Sequence, residues 1–144
     1  METWKLQALL AALFAGLTSV LAKAGMKNLG PDVSLAIRTC VVFTLVIANA
    51  LVVTSARPLV AVRGAAPRDL ALLALSGLTT SLSWIFYYRA MKTGTVSFVS
   101  LVDKGSIIVT LTLSFFVLRE HFTMQTLAGA ALILGGIVVL NWKF

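Results

Sequence analysis

Uncharged apolar runs alternate with short charged stretches along the chain. Leu6–Ala22 lies between Lys5 and Lys23, Thr39–Ala56 between Arg38 and Arg57, Leu70–Tyr88 between Asp69 and Arg89, and Phe122–Trp142 between His121 and Lys143. These runs hold 17, 18, 19 and 21 residues, close to the ~20 that carry a helix across ~30 Å of hydrocarbon at ~1.5 Å per residue. A fifth run, Thr93–Leu118, holds 26 and is interrupted only by Asp103–Lys104. The pattern predicts an all-α integral membrane protein with five transmembrane helices, about 6–22, 39–56, 70–88, 93–118 and 122–142.

The connections fit that count. Asn28-Leu-Gly-Pro-Asp32 is turn chemistry, with Ser34 available to cap the second helix, and Arg63–Asp69 reads as a polar linker before the third. Arg89–Thr95 and Arg119–Thr123 have room only for tight hairpins, so helices three and four, and four and five, are expected to be antiparallel neighbours. No segment is polar or long enough for a second domain, and residues 1–144 are expected to form one membrane domain.

Composition excludes a water-soluble globule: 59% of residues are hydrophobic and 12% charged, against about 45–50% and 25% in soluble domains. The net charge of +7 then belongs to membrane-flanking residues and does not imply a nucleic-acid partner. The single cysteine, Cys40, excludes an internal disulfide. Ala22-Lys23-Ala24 imitates a signal cleavage site, yet the preceding run exceeds the ~7–15 residues of a signal core and Met1–Lys5 is not strongly basic, so a retained first helix is expected.

An odd number of helices puts the termini on opposite sides. Lys5, Arg57, Arg63, Arg68 and Arg119 then face Lys23, Lys27, Arg38, Arg89, Lys92 and Lys143, five against six, with Lys104 inside. Two readings stand. The arginines after helix two fix a cytoplasmic amino terminus, or the near balance lets copies insert both ways and pair as an inverted homodimer. Spacing-four stripes, Ala8-Ala12-Gly16 and Ala131-Gly135, permit close helix contact within or between protomers.

The stretch Ser76-Gly-Leu-Thr-Thr-Ser-Leu-Ser-Trp84-Ile-Phe-Tyr-Tyr-Arg-Ala-Met-Lys-Thr-Gly94, then Val99-Ser-Leu-Val-Asp-Lys104, Leu118-Arg-Glu-His-Phe-Thr123 and Gly129-x5-Gly135-Gly136, resembles the EamA domain of the drug/metabolite transporter superfamily. The chain looks like its short five-helix, single-domain bacterial and archaeal branch. Leu101 or Val102 stands where the family's proline precedes the intramembrane acid, and Arg119-Glu120 replaces the common Gly-Glu. The resemblance implies a transporter of metabolites or drugs in a cell membrane, in bacteria the inner one.

Asp103 is the first candidate for function, roughly 15 Å along its helix and so near mid-membrane. An ionisable group there should face a cavity or a partner. Ser100, Asp103, Ile107, Thr110 and Ser114 share one helical face, whereas Lys104 points about 100° away and is not expected to pair with Asp103 along the helix. Three readings of Asp103–Lys104 stay open: a substrate or proton site, a structural ion pair with Lys23, Arg38 or Arg89, or a loop splitting the segment.

Helix three offers a second lining. Ser76, Thr80, Trp84 and Tyr88 recur at spacing four, able to hold an apolar or cationic solute by stacking and cation–π contact, or else Trp84, Tyr87 and Tyr88 form an interfacial belt. Gly16, Ser19 and Lys23 share a face of helix one, with Lys23 expected to snorkel. Glu120 and Arg89 are candidate gating or interfacial residues, and His121 reads as a solvated end residue. No metal spacing, phosphate-cradling loop or nucleophile–base pair is present, so neither enzyme nor cofactor is expected. The small multidrug resistance exporters carry an acid in their first helix; Leu6–Ala22 has none. The expected protein is a homodimeric secondary transporter of a small metabolite or drug-like solute in the lipid bilayer, working by alternating access, with proton coupling as one form of its mechanism. An accessory or scaffold subunit that pairs with another five-helix chain is the alternative.

Overall fold

The structure, a computed structural model, describes residues 2–53 and 58–141. The described residues are helical apart from turns and short connections. They comprise α1 (Thr3–Gly25), α2 (Pro31–Val53), α3 (Pro58–Gly64), α4 (Pro67–Thr93), α5 (Val96–Asp103), α6 (Ser106–Leu113) with a π-helical turn at Ser114–Leu118, and α7 (Met124–Asn141). Thr3–Gly25, Pro31–Val53, Pro67–Thr93 and Val96–Leu118 are long and apolar enough to cross a membrane, and Met124–Leu140 is apolar but shorter. The expected tails of helices two and five, residues 54–56 and Trp142, lie outside the described residues, as do Arg57 and Lys143.

The chain divides into two compact units, Met1–Thr93 and Gly94–Phe144. In the first, α2 begins two turns before the expected Thr39 because Pro31 suits the first helical position, where its missing N–H is no loss. Ser34 is inside that helix and not its cap; its hydroxyl donates to the Gly30 carbonyl at 2.9 Å. Pro67 starts α4 in the same way, with Asp69 in the first turn where the helix dipole favours an acid. The expected polar linker is therefore helical at both ends, since α3, which the pattern does not predict, takes in Arg63 and Gly64 and α4 takes in Pro67–Asp69.

α2 packs against α4. α1 meets α4 through the face that carries Ser19 and Lys23: Ser19 shares a 2.8 Å hydrogen bond with the Tyr87 hydroxyl, and the Lys23 ammonium, expected to snorkel, instead donates to the Met91 carbonyl. Met26, Leu35, Tyr88 and Met91 are buried. All four lie toward the carboxyl ends of α1 and α4 and the start of α2. Residues 3–17 of α1 and 67–83 of α4 are exposed, as befits surface meant for lipid or other chains.

In the second unit, the Thr95 hydroxyl caps α5 by accepting from the Phe98 N–H at 3.4 Å. Thr123 caps α7, accepting from the Thr126 N–H at 3.2 Å, so that helix begins after Phe122. α7 packs against α5. The helix expected over 93–118 is broken: Lys104 and Gly105 donate to the carbonyls of Leu101 and Val102, three residues back, at 3.1 and 2.8 Å. A side chain at Gly105 would stand 2.9 Å from the Val102 carbonyl oxygen, so this tight turn needs glycine. The π-turn ends at Arg119, whose φ of 56° and ψ of 35° are left-handed, a conformation non-glycine residues seldom adopt.

Candidate solute-binding site

The longer α2 changes the standing of Arg38. It lies two turns inside a membrane-length helix, and its guanidinium carbon sits 4.3 Å from the centroid of the Trp84 ring on α4. One turn further along α4, Tyr88 is buried, 4% exposed. A cavity of about 390 Å³ opens beside them, lined by Thr18 and Leu21 of α1, Ser34, Ile37 and Arg38 of α2, and Tyr88. A second cavity of about 630 Å³ is lined by Asp32, Thr39, Phe43, Ser81 and Trp84. Arg38 is thus in the wall of one cavity and the ring it covers is in the wall of the other.

The neighbouring charges are otherwise occupied. Arg89 Nε pairs with Asp32 Oδ1 at 3.0 Å. Lys23 donates to the carbonyls of Met91 and, at 3.2 Å, Lys92. Lys92 donates to those of Met26 and Leu29 at 2.8 and 2.9 Å. The Met91 and Lys92 carbonyls lie in the last turn of α4, where the dipole favours a cation, and those of Met26 and Leu29 lie at the cap of α1 and in the turn that follows it. Among the described residues no carboxylate pairs with Arg38.

The spacing-four stripe of α4 behaves unevenly. Ser76 and Thr80 are exposed, Trp84 is half-buried and Tyr88 buried. The Thr80 hydroxyl donates to the Ser76 carbonyl at 2.8 Å within its own helix, so it offers no donor to a solute. The face of Trp84 expected to receive a cationic solute already holds Arg38. Sequence reasoning named Arg38 only as a possible ion partner; the Pro31-Asp32 start signal was what could have placed it inside a helix.

Other candidates lie in the second unit. Asp103 ends α5, and the Lys104 ammonium is 3.7 Å from its Oδ2, both side chains exposed. The expectation that these neighbours cannot pair is therefore corrected: it assumed regular α geometry, and the tight turn at Lys104–Gly105 replaces it. The same break interrupts the face shared by Ser100 and Thr110. Ser100 is half-buried on α5, and exposed Thr110 donates to the Ser106 carbonyl at 3.2 Å. Glu120 is exposed, and among the described residues it forms no ion pair. No group of three His, Cys, Asp or Glu among the described residues is placed to hold a metal ion.

Membrane-length apolar helices mark a multi-pass membrane protein, and the cavities beside them combine apolar walls with a few polar groups. Residues 2–142 match the EamA-like transporter family, and the chain belongs to that family. It is 34% identical over 139 residues, 96% of each chain, to a Sinorhizobium protein named "Uncharacterized transporter in cobO 3'region". No solved structure matches it. The protein is a membrane transporter.

Proposed function

We propose that the chain forms a single membrane domain that moves a small metabolite or drug-like solute across the bacterial inner membrane by alternating access, as a homodimer and coupled to protons through Asp103. The observation that carries the reading is the cavity among α1, α2 and α4, where Arg38 and Tyr88 converge. It is in the range of ~300–1,000 Å³ usual for small-molecule sites, and it combines apolar walls with few polar groups. The spacing-four small-residue stripes Ala8-Ala12-Gly16 and Ala131-Gly135 permit the close helix contact that pairing with a second copy needs.

Reconstitution of the purified chain in liposomes, with counterflow of labelled solutes from a metabolite panel, tests the proposal. Accumulation by the chain alone is expected, with a dimer in crosslinking of the same vesicles. Accumulation that appears only when a second five-helix chain is added would replace this reading by that of an accessory subunit.

A further inference from the structure

We infer that the solute is an organic anion, a carboxylate on a compact apolar body, and that Arg38 in the α1–α2–α4 cavity receives it. This rests on the transporter reading above. An arginine inside an apolar membrane helix without a counter-charge is unfavourable unless something neutralises it. The nearest candidate on its own helix, Asp32, is held by Arg89 at 3.0 Å, and no other carboxylate among the described residues pairs with Arg38. Lys23, Lys27, Arg89 and Lys92 gather toward the same end of the unit against that one acid, so the local field attracts an anion and repels a cation.

Contact with Trp84 positions Arg38: its guanidinium carbon lies 4.3 Å from the ring centroid. A guanidinium carries five N–H donors in a planar fork, more than contact with one ring can occupy, which leaves donors for a bidentate carboxylate. Leu21 and Ile37 supply apolar wall in the same cavity, and the Tyr88 phenol adds a polar edge. A cationic solute would lose on both counts, meeting an unpaired guanidinium and finding the ring already covered.

The experiment uses full-length protein in neutral phosphatidylcholine nanodiscs, with Trp4→Phe and Trp142→Phe so that Trp84 alone fluoresces. It is titrated with cyclohexanecarboxylate, cyclohexanecarboxamide and cyclohexylamine, which share one apolar body. The carboxylate is expected to change the emission saturably with at least tenfold tighter binding than the other two. Arg38→Gln should weaken it at least tenfold and Arg38→Lys less. Equal binding of the amide, preference for the amine, or unchanged binding in Arg38→Gln overturns the inference, and the ranking in the parent protein decides even if Arg38→Gln misfolds. Phosphatidylglycerol that blocks the carboxylate in parent protein but not in Arg38→Lys would make a lipid headgroup the anion and overturn the solute assignment. Liposome counterflow separates the two readings. Carriage of neutral or cationic solutes without carboxylate binding sinks only this inference, whereas carboxylate binding with no solute ever carried sinks the transporter mechanism and keeps the site.

Discussion

Lys23 and Lys92 close each other's helices. Lys23, in the last turn of α1, donates to the carbonyls of Met91 and Lys92 that end α4, and Lys92 reaches back to Met26 and Leu29 beyond the end of α1. In water, solvent could satisfy these carbonyls; beside fully buried Met26 and Met91 little of it is at hand. The exchange holds two parallel helix ends together without a carboxylate.

Replacing either lysine by methionine keeps most of the aliphatic stem and removes the donor. Each change should destabilise the protein by about 1–2 kcal/mol, from a charged hydrogen bond and its dipole interaction. The double variant should lose less than the sum, because the two caps share one helix junction. Thermal melts in detergent measure this, and strictly additive or absent effects would show that the caps act separately or not at all.

At the break in the fourth span, Gly105→Ala would bring a carbon to 2.9 Å from the Val102 carbonyl oxygen, a backbone atom that cannot swing aside. A loss of about 1–3 kcal/mol is expected. An alanine variant as stable as the parent would mean that the turn relaxes freely. Ser106→Ala, one residue on, serves as the comparison.

Asp103→Asn keeps the shape of the side chain and removes its charge. Under the proposed coupling the variant inserts and dimerises, loses pH-gradient-driven transport, and exchanges solute without pH dependence. The contact with Lys104 names the partner for the competing structural role. If Asp103→Asn fails and the double variant with Lys104→Gln recovers gradient-driven transport, the pair is structural and the proton is bound elsewhere.

Orientation can be read from fusions to the carboxyl terminus. The near balance of basic residues in the sequence leads to signal from both a cytoplasm-only and a periplasm-only reporter. Two added lysines in the amino-terminal tail should shift the ratio several-fold. Signal from one reporter alone would exclude inverted pairing and leave a parallel or heteromeric partner.

The helices were legible because membrane crossing demands long uncharged runs, and no soluble alternative competes with those runs in this composition. Their ends were less so. Taking Arg38, Arg89 and Lys92 as boundaries assumed that charge marks the end of a helix, whereas here each is helical and has its own arrangement: a ring, a carboxylate and two carbonyls. Trp84 and Tyr88, which the structure places in cavity walls, stand out in the sequence because spacing four puts residues on one face. Arg38 was missed for the same reason in reverse, since a residue placed outside a helix has no face. The pairing of Asp103 with Lys104 was hidden by the assumption of regular geometry through Gly105.

The placement of buried side chains has a mechanical consequence. Within the unit ending at Thr93, Met26, Leu35, Tyr88 and Met91 are gathered near one end, while residues 3–17 and 67–83 of α1 and α4 are exposed. A pair of rods clamped at one end is a lever. Each rod reaches roughly 30 Å, at ~1.5 Å per residue, so a tilt of about 10° at the clamp displaces the free end by about 5 Å. The lysine clasp at Lys23 and Lys92 would act as the fulcrum of such a tilt. Trp84 lies eight residues before Lys92 on α4, about 12 Å away, so the same tilt would move it by about 2 Å, less than half the displacement of the free end.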